Sequence, residues 1–109
     1  MEEEKIGKLV RDKIPHIIAS GGDEPVFRMM GDAEYLEELR RKLLEEVSEY
    51  MGDGSMEELA DVYQVVCSIA EHVGGGRREL EYISFEKSVE RGGFEGRVYL
   101  ESVRRGALR

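Results

Sequence analysis

The chain lacks any apolar run near the ~18–20 residues that a membrane span needs. Its start, Met1-Glu2-Glu3-Glu4-Lys5, lacks the basic-then-apolar order of a signal peptide. It has one cysteine, Cys67, and so no internal disulfide. These three features point to a reduced, cytoplasmic setting and no membrane partner. A basic excess is also missing, because the formal charge is −8. That excludes a general nucleic-acid-binding surface, which is basic. It leaves open a nucleotide held through metal ions. There is no internal repeat, no low-complexity stretch and no linker. At 109 residues the expectation is a single domain over 1–109 with one modest core.

Helical signals dominate what is there. Asp12 reads as the N-cap of a short helix running to Ser20, with Pro15 in its first turn and Gly21-Gly22 behind it. The segment Pro25-Val26-Phe27-Arg28-Met29 partly alternates and predicts a short strand. A second helix follows the cap Asp32 and runs to about Tyr50, with Leu36, Leu39, Leu43, Val47 and Tyr50 on one stripe. Met51-Gly52-Asp53-Gly54 breaks it.

A third helix spans Met56 to Val73. Its apolar side chains cover about 200° of the circumference, where a surface helix needs a stripe of roughly 100° or a little more. A helix buried on two sides in so short a chain predicts a second subunit, as a homodimer or a dimer of dimers. A fourth helix is expected over about Arg77 to Arg91, carrying Leu80, Ile83 and Phe85. Arg97-Val98-Tyr99-Leu100-Glu101 predicts a second short strand that pairs with the first. The fold class is therefore all-α, a helical bundle of about four main helices with two short strands as an appendage.

Two acidic clusters stand on consecutive helices: Glu45-Glu46-Val47-Ser48-Glu49 and Glu58-Leu59-Ala60-Asp61. Each holds two carboxylates at i and i+3, on one side of a helix. Glu46 and Glu58 lie about 60° from their apolar centres, Glu49 and Asp61 about 120°. An antiparallel hairpin brings these acidic edges together. Like charges repel, and more strongly as water is thinned out. A divalent cation turns that penalty into a site, and carboxylate oxygens suit Mg²⁺. Solvated faces explain Glu37, Glu38 and Glu57. Glu58 has a competing reading, because Ser55-x-x-Glu58 fits a capping box.

Glu45-Glu46-x-x-Glu49 followed by Glu58-x-x-Asp61 resembles the signature of the MazG-like all-α NTP pyrophosphohydrolase superfamily. That group includes MazG proteins, dimeric dUTPases, dCTP pyrophosphatases and phosphoribosyl-ATP pyrophosphohydrolases. Lys8-Leu9-Val10-Arg11-Asp12-Lys13-Ile14-Pro15 resembles the opening of a subgroup regarded as house-cleaning NTP pyrophosphatases, and Lys87-x-x-x-Arg91-Gly92-Gly93-Phe94 resembles its closing segment. The resemblance spans about residues 8 to 101. It implies that Glu46, Glu49, Glu58 and Asp61 hold Mg²⁺, with Mn²⁺ as a substitute. Glu45 matches a further acid of the pattern and is an accessory candidate. Glu46 or Glu49 is the implied catalytic carboxylate. The implied reaction is hydrolysis of a nucleoside triphosphate to the monophosphate and pyrophosphate. The eight residues between Glu49 and Glu58 imply a trimmed hairpin and a less enclosed base pocket.

A triphosphate needs further cations. Lys8, Arg11 and Lys13 cluster around a helix start, and Lys87 and Arg91 share a helix face at i, i+4. Surface solubility explains any one of them alone. With the resemblance, Arg11, Lys13, Lys87 and Arg91 are the expected phosphate contacts. His16, His72 and Cys67 read as structural. Two rival functions share these residues: phosphoribosyl-ATP hydrolysis in histidine synthesis, and a helical oligomer or nucleotide-binding regulator without turnover.

Overall fold

The computed structural model describes residues 2–108. The fold is all-α: α1 (Ile14–Ser20), α2 (Asp32–Asp53), α3 (Met56–Val73) and α4 (Gly76–Arg91). The chain divides into two compact units, one ending at Arg77 and the other beginning at Arg78.

The first unit is built on a hairpin of α2 and α3, which pack against each other. Gly31 is the N-cap of α2, and Asp32 and Glu34 occupy the first turn. There their charge complements the helix dipole. The helix runs three residues past Tyr50 and stops at Gly54, which is left-handed at φ 68°. Glycine takes that conformation without a Cβ penalty, whereas Gly52 costs about 1 kcal/mol inside a helix and is tolerated. Ser55 then caps α3, its Oγ accepting the Glu58 N–H at 3.2 Å. The connection is thus Gly54-Ser55, and the two helices fold back on each other. Leu39, Val65 and Ala70 form the buried apolar contact between them.

α1 begins one residue later than the cap reading of Asp12 requires. Lys13 is the N-cap, with no side-chain cap bond, and Pro15 lies in the first turn. Asp12 and Lys13 form a turn in which the Ile14 N–H donates to the Arg11 carbonyl at 3.0 Å. After α3 the chain turns through Gly74, Gly75 and Gly76, all at positive φ. The Glu71 carboxylate accepts the Arg77 N–H at 3.3 Å across that turn.

The second unit holds most of α4 and the segment after it. Its described residues are all exposed, including Ile83, Phe85, Val89, Phe94 and Tyr99.

Neither expected strand forms, and no strand occurs among the described residues. Val26 and Met29 are 81 % and 85 % exposed, so the alternation of 25–29 faces solvent rather than a sheet. Arg97 sits at φ 57° and its N–H closes a turn onto the Phe94 carbonyl. A non-glycine residue in that region is uncommon and interrupts an extended run where the second strand was expected to begin. No helix among the described residues is long and apolar enough to cross a membrane.

Candidate metal centre

The capped two-residue connection fixes how α3 is set against α2, and that register decides which carboxylates meet. Glu46 projects from α2 and is buried, at 9 % exposure. Glu58 and Asp61, three residues apart on α3, are half-buried. One carboxylate oxygen from each of the three lies within 4.8 Å of the others.

Glu58 carries the electrostatic strain. Burial pushes its carboxyl above the usual range, and the charges of Asp61, Glu49, Glu46 and Asp53 push it further. Its side chain makes no hydrogen bond to a described residue. Ser55 supplies one half of the capping box, and the reciprocal bond, from the Ser55 N–H to the Glu58 carboxylate, is not formed. The carboxylate is therefore not committed to capping.

The other two acids have cations beside them. Arg11 Nη2 donates to Asp61 Oδ1 at 2.6 Å, and its Nη1 donates to Gln64 Oε1 at 3.3 Å. Lys42 Nζ stands 3.3 Å from Glu46 Oε1 and 3.6 Å from Glu45 Oε1. Lys8 Nζ donates to Glu45 Oε1 at 3.0 Å. That bond, followed by the charge of Lys42, holds the Glu45 carboxyl below its usual range, while Glu45 raises the Lys8 ammonium. An exposed pair such as Lys8–Glu45 contributes little to stability, because water screens it.

The N-terminal segment lies over the hairpin and roofs a cavity of about 180 Å³. Leu39 and Val65 form apolar wall, while Arg11, Lys42, Glu46 and Asp61 line it with charge. Among the three clustered acids and the two cations touching them, the uncompensated charge is one negative, and Glu58 is the acid with no counter-ion among the described residues. Three hard oxygen donors on two rigid helices fit a divalent cation, so the residues present could hold a metal ion.

The expected site residues fall into three groups. Glu46, Glu58, Asp61 and Arg11 come together. Glu49 and Glu45 stand beside them: Glu49 is exposed and outside the 4.8 Å group, although its charge acts on Glu58. Glu45 is occupied by Lys8 and Lys42. Lys13 is the exposed N-cap of α1. Lys87 and Arg91 are exposed on α4 in the second unit. Two participants were not anticipated. Lys42 was visible in principle, because it precedes Glu46 by four residues on a helix. Gln64 carries no charge signal and is found through its bond to Arg11. His72 packs edge-on to Tyr35, with ring centroids 5.0 Å apart, which suits a structural role.

No family model matches the chain. No solved structure matches it either. It is similar to an uncharacterized protein of Mycolicibacterium smegmatis, 48 % identical over 44 residues. The match covers 40 % of this chain and 45 % of that relative's length. So partial a match assigns no family.

Proposed function

We propose that this chain is a divalent-cation-dependent nucleoside triphosphate pyrophosphohydrolase, active on noncanonical nucleotides. The observation that carries the proposal is the convergence of Glu46, Glu58 and Asp61, with no hydrogen bond to the Glu58 carboxylate among the described residues. Glu46, Glu58 and Asp61 hold Mg²⁺, or Mn²⁺ in its place. When bound, the ion neutralises triphosphate charge and lowers the pKa of a water. Glu49 is the better general base of the two candidates on α2. It is exposed, whereas Glu46 is buried and pairs with Lys42. It takes the proton of the attacking water. Attack in line at the α-phosphorus expels pyrophosphate. Arg11 borders the cavity and presents a planar fork suited to phosphate oxygens. Lys13, Lys87 and Arg91 are assigned to phosphate by the resemblance alone.

The same reading makes the protein a cytoplasmic homodimer or dimer of dimers. Leu59, Tyr63 and Val73 on α3 are 42 %, 52 % and 62 % exposed in the single chain. Monomeric proteins rarely leave large contiguous apolar patches in water. A second copy covers that face and walls the base.

A Mg²⁺-dependent hydrolysis screen over common and damaged nucleoside triphosphates tests the proposal, with pyrophosphate and phosphate measured separately. Pyrophosphate and the monophosphate are expected in equal amounts. Turnover confined to ATP carrying a phosphoribosyl group at N1 would replace the proposal with the histidine-synthesis reaction. Binding without any pyrophosphate release would replace it with a regulator.

A further inference from the structure

The N-terminal segment is fastened to the hairpin by two ion pairs of different kinds. Lys8 bonds Glu45, which lies outside the three-carboxylate group. Arg11 bonds Asp61, which lies inside it. The Arg11 guanidinium therefore holds an oxygen-bearing group that the divalent site itself requires. Both partners are open to solvent, with side-chain exposures of 56 % and 39 %. Nothing buries the pair and blocks its opening.

We infer that Arg11 is an exchangeable counter-ion of Asp61, seated on the carboxylate while the site holds no metal and displaced from it when a divalent cation binds. The inference rests on the divalent site proposed above. Its physical basis is competition for one carboxylate. A guanidinium on Asp61 offsets part of the repulsion among Glu46, Glu58 and Asp61. A divalent cation supplies that offset with more charge and draws on the same carboxylate. Lys8 on Glu45 is under no such competition, so one end of the segment stays fastened while the other is released. Release frees a bidentate donor at the rim of the cavity, beside Gln64. Cation entry and exposure of an anion-binding group thereby become one event.

Melting curves and calorimetric Mg²⁺ titrations of the full chain test this, comparing wild type with Arg11→Met and Lys8→Met. Without metal, Arg11→Met is expected to melt below wild type. At saturating Mg²⁺ that gap closes, because the lost bond is already broken in the wild type. Arg11→Met is also expected to bind Mg²⁺ up to about fivefold more tightly, the scale of an exposed ion pair given up on binding. Lys8→Met removes an equal charge from the same segment and is expected to keep its gap with and without Mg²⁺. Arg11→Lys, which keeps the charge without the fork, is expected to show a smaller gap that also closes. An Arg11→Met gap unchanged by Mg²⁺, or a closing gap matched by Lys8→Met, overturns the exchange and leaves the divalent site standing. A wild type that neither binds Mg²⁺ nor shifts its melting removes the site and the exchange together.

Discussion

Glu46 and Glu58 stand on different helices and bring carboxylate oxygens within 4.8 Å, yet only Glu46 has a cation beside it. Lys42 partly neutralises the acid on α2. The acid on α3 faces Glu46, Glu49, Asp53 and Asp61 with its pKa raised. A folded chain that keeps such a group between two packed helices gains from whatever neutralises it.

Asp61→Asn and Glu46→Gln each remove one donor from this set. Each is expected to lower Mg²⁺ affinity by at least ~10-fold and to remove most turnover. Helix content by circular dichroism is expected to stay at the wild-type level. Near-normal rates in both variants at limiting Mg²⁺ would falsify their assignment as ligands.

Mg²⁺ is expected to raise the melting temperature of the wild type. A ligand bound by the folded state alone stabilises it by about 2.7 kcal/mol at a hundred times its Kd. Asp61→Asn is expected to lose most of this shift. A wild-type curve that ignores millimolar Mg²⁺ while the variant responds contradicts the site.

Arg28 grips Glu34 with two bonds, of 2.7 and 2.6 Å, and ties the segment before α2 to its first turn. Those bonds hold the Glu34 carboxyl below its usual range. The folded pKa is lower than the unfolded one. The pair's contribution is therefore complete above the ordinary carboxylate range and is lost as pH falls through the folded value. Glu34→Gln is expected to melt below wild type at neutral pH and to converge with it in acid. A melting difference that stays constant across that range shows that the ion pair is not its source.

Tyr63 offers a cleaner probe of assembly than the half-buried Val66 or Ile69, because it is half exposed in the single chain. Sedimentation of the wild type is expected to give a dimer or tetramer at micromolar concentration, and Tyr63→Glu to weaken it without loss of helix content. An active, well-folded wild-type monomer refutes the subunit arrangement.

Much of this was legible in the residues. Ser55 marked the start of α3, the break expected over Met51 to Gly54 came only at Gly54, the apolar stripes marked α2 and α3, and the acidic pairs fell where those stripes meet. The third helix runs from Met56 to Val73, as its periodicity predicted. What failed was local alternation without a partner. A strand exists through its ladder, and Val26, Met29 and Val98 had the pattern without the ladder. Contacts between distant segments were equally hidden. Lys8 and Glu45 are 37 residues apart and Arg11 and Asp61 are 50, so only the folded hairpin reveals that the N-terminal cations fall on the acidic edge. Glu49 illustrates the limit of helical spacing: it shares a helix side with Glu46, yet the approach of α3 leaves it outside the tight group.

The most direct measurement is the electron paramagnetic resonance signal of free Mn²⁺ titrated with wild-type protein and with Glu58→Gln. The sextet of the free ion is expected to fade as wild-type protein is added, with Mg²⁺ restoring it by competition. Glu58→Gln is expected to leave most of the sextet in place at the same concentration. Equal loss of signal with both proteins, or none with the wild type, contradicts a divalent site formed by Glu46, Glu58 and Asp61.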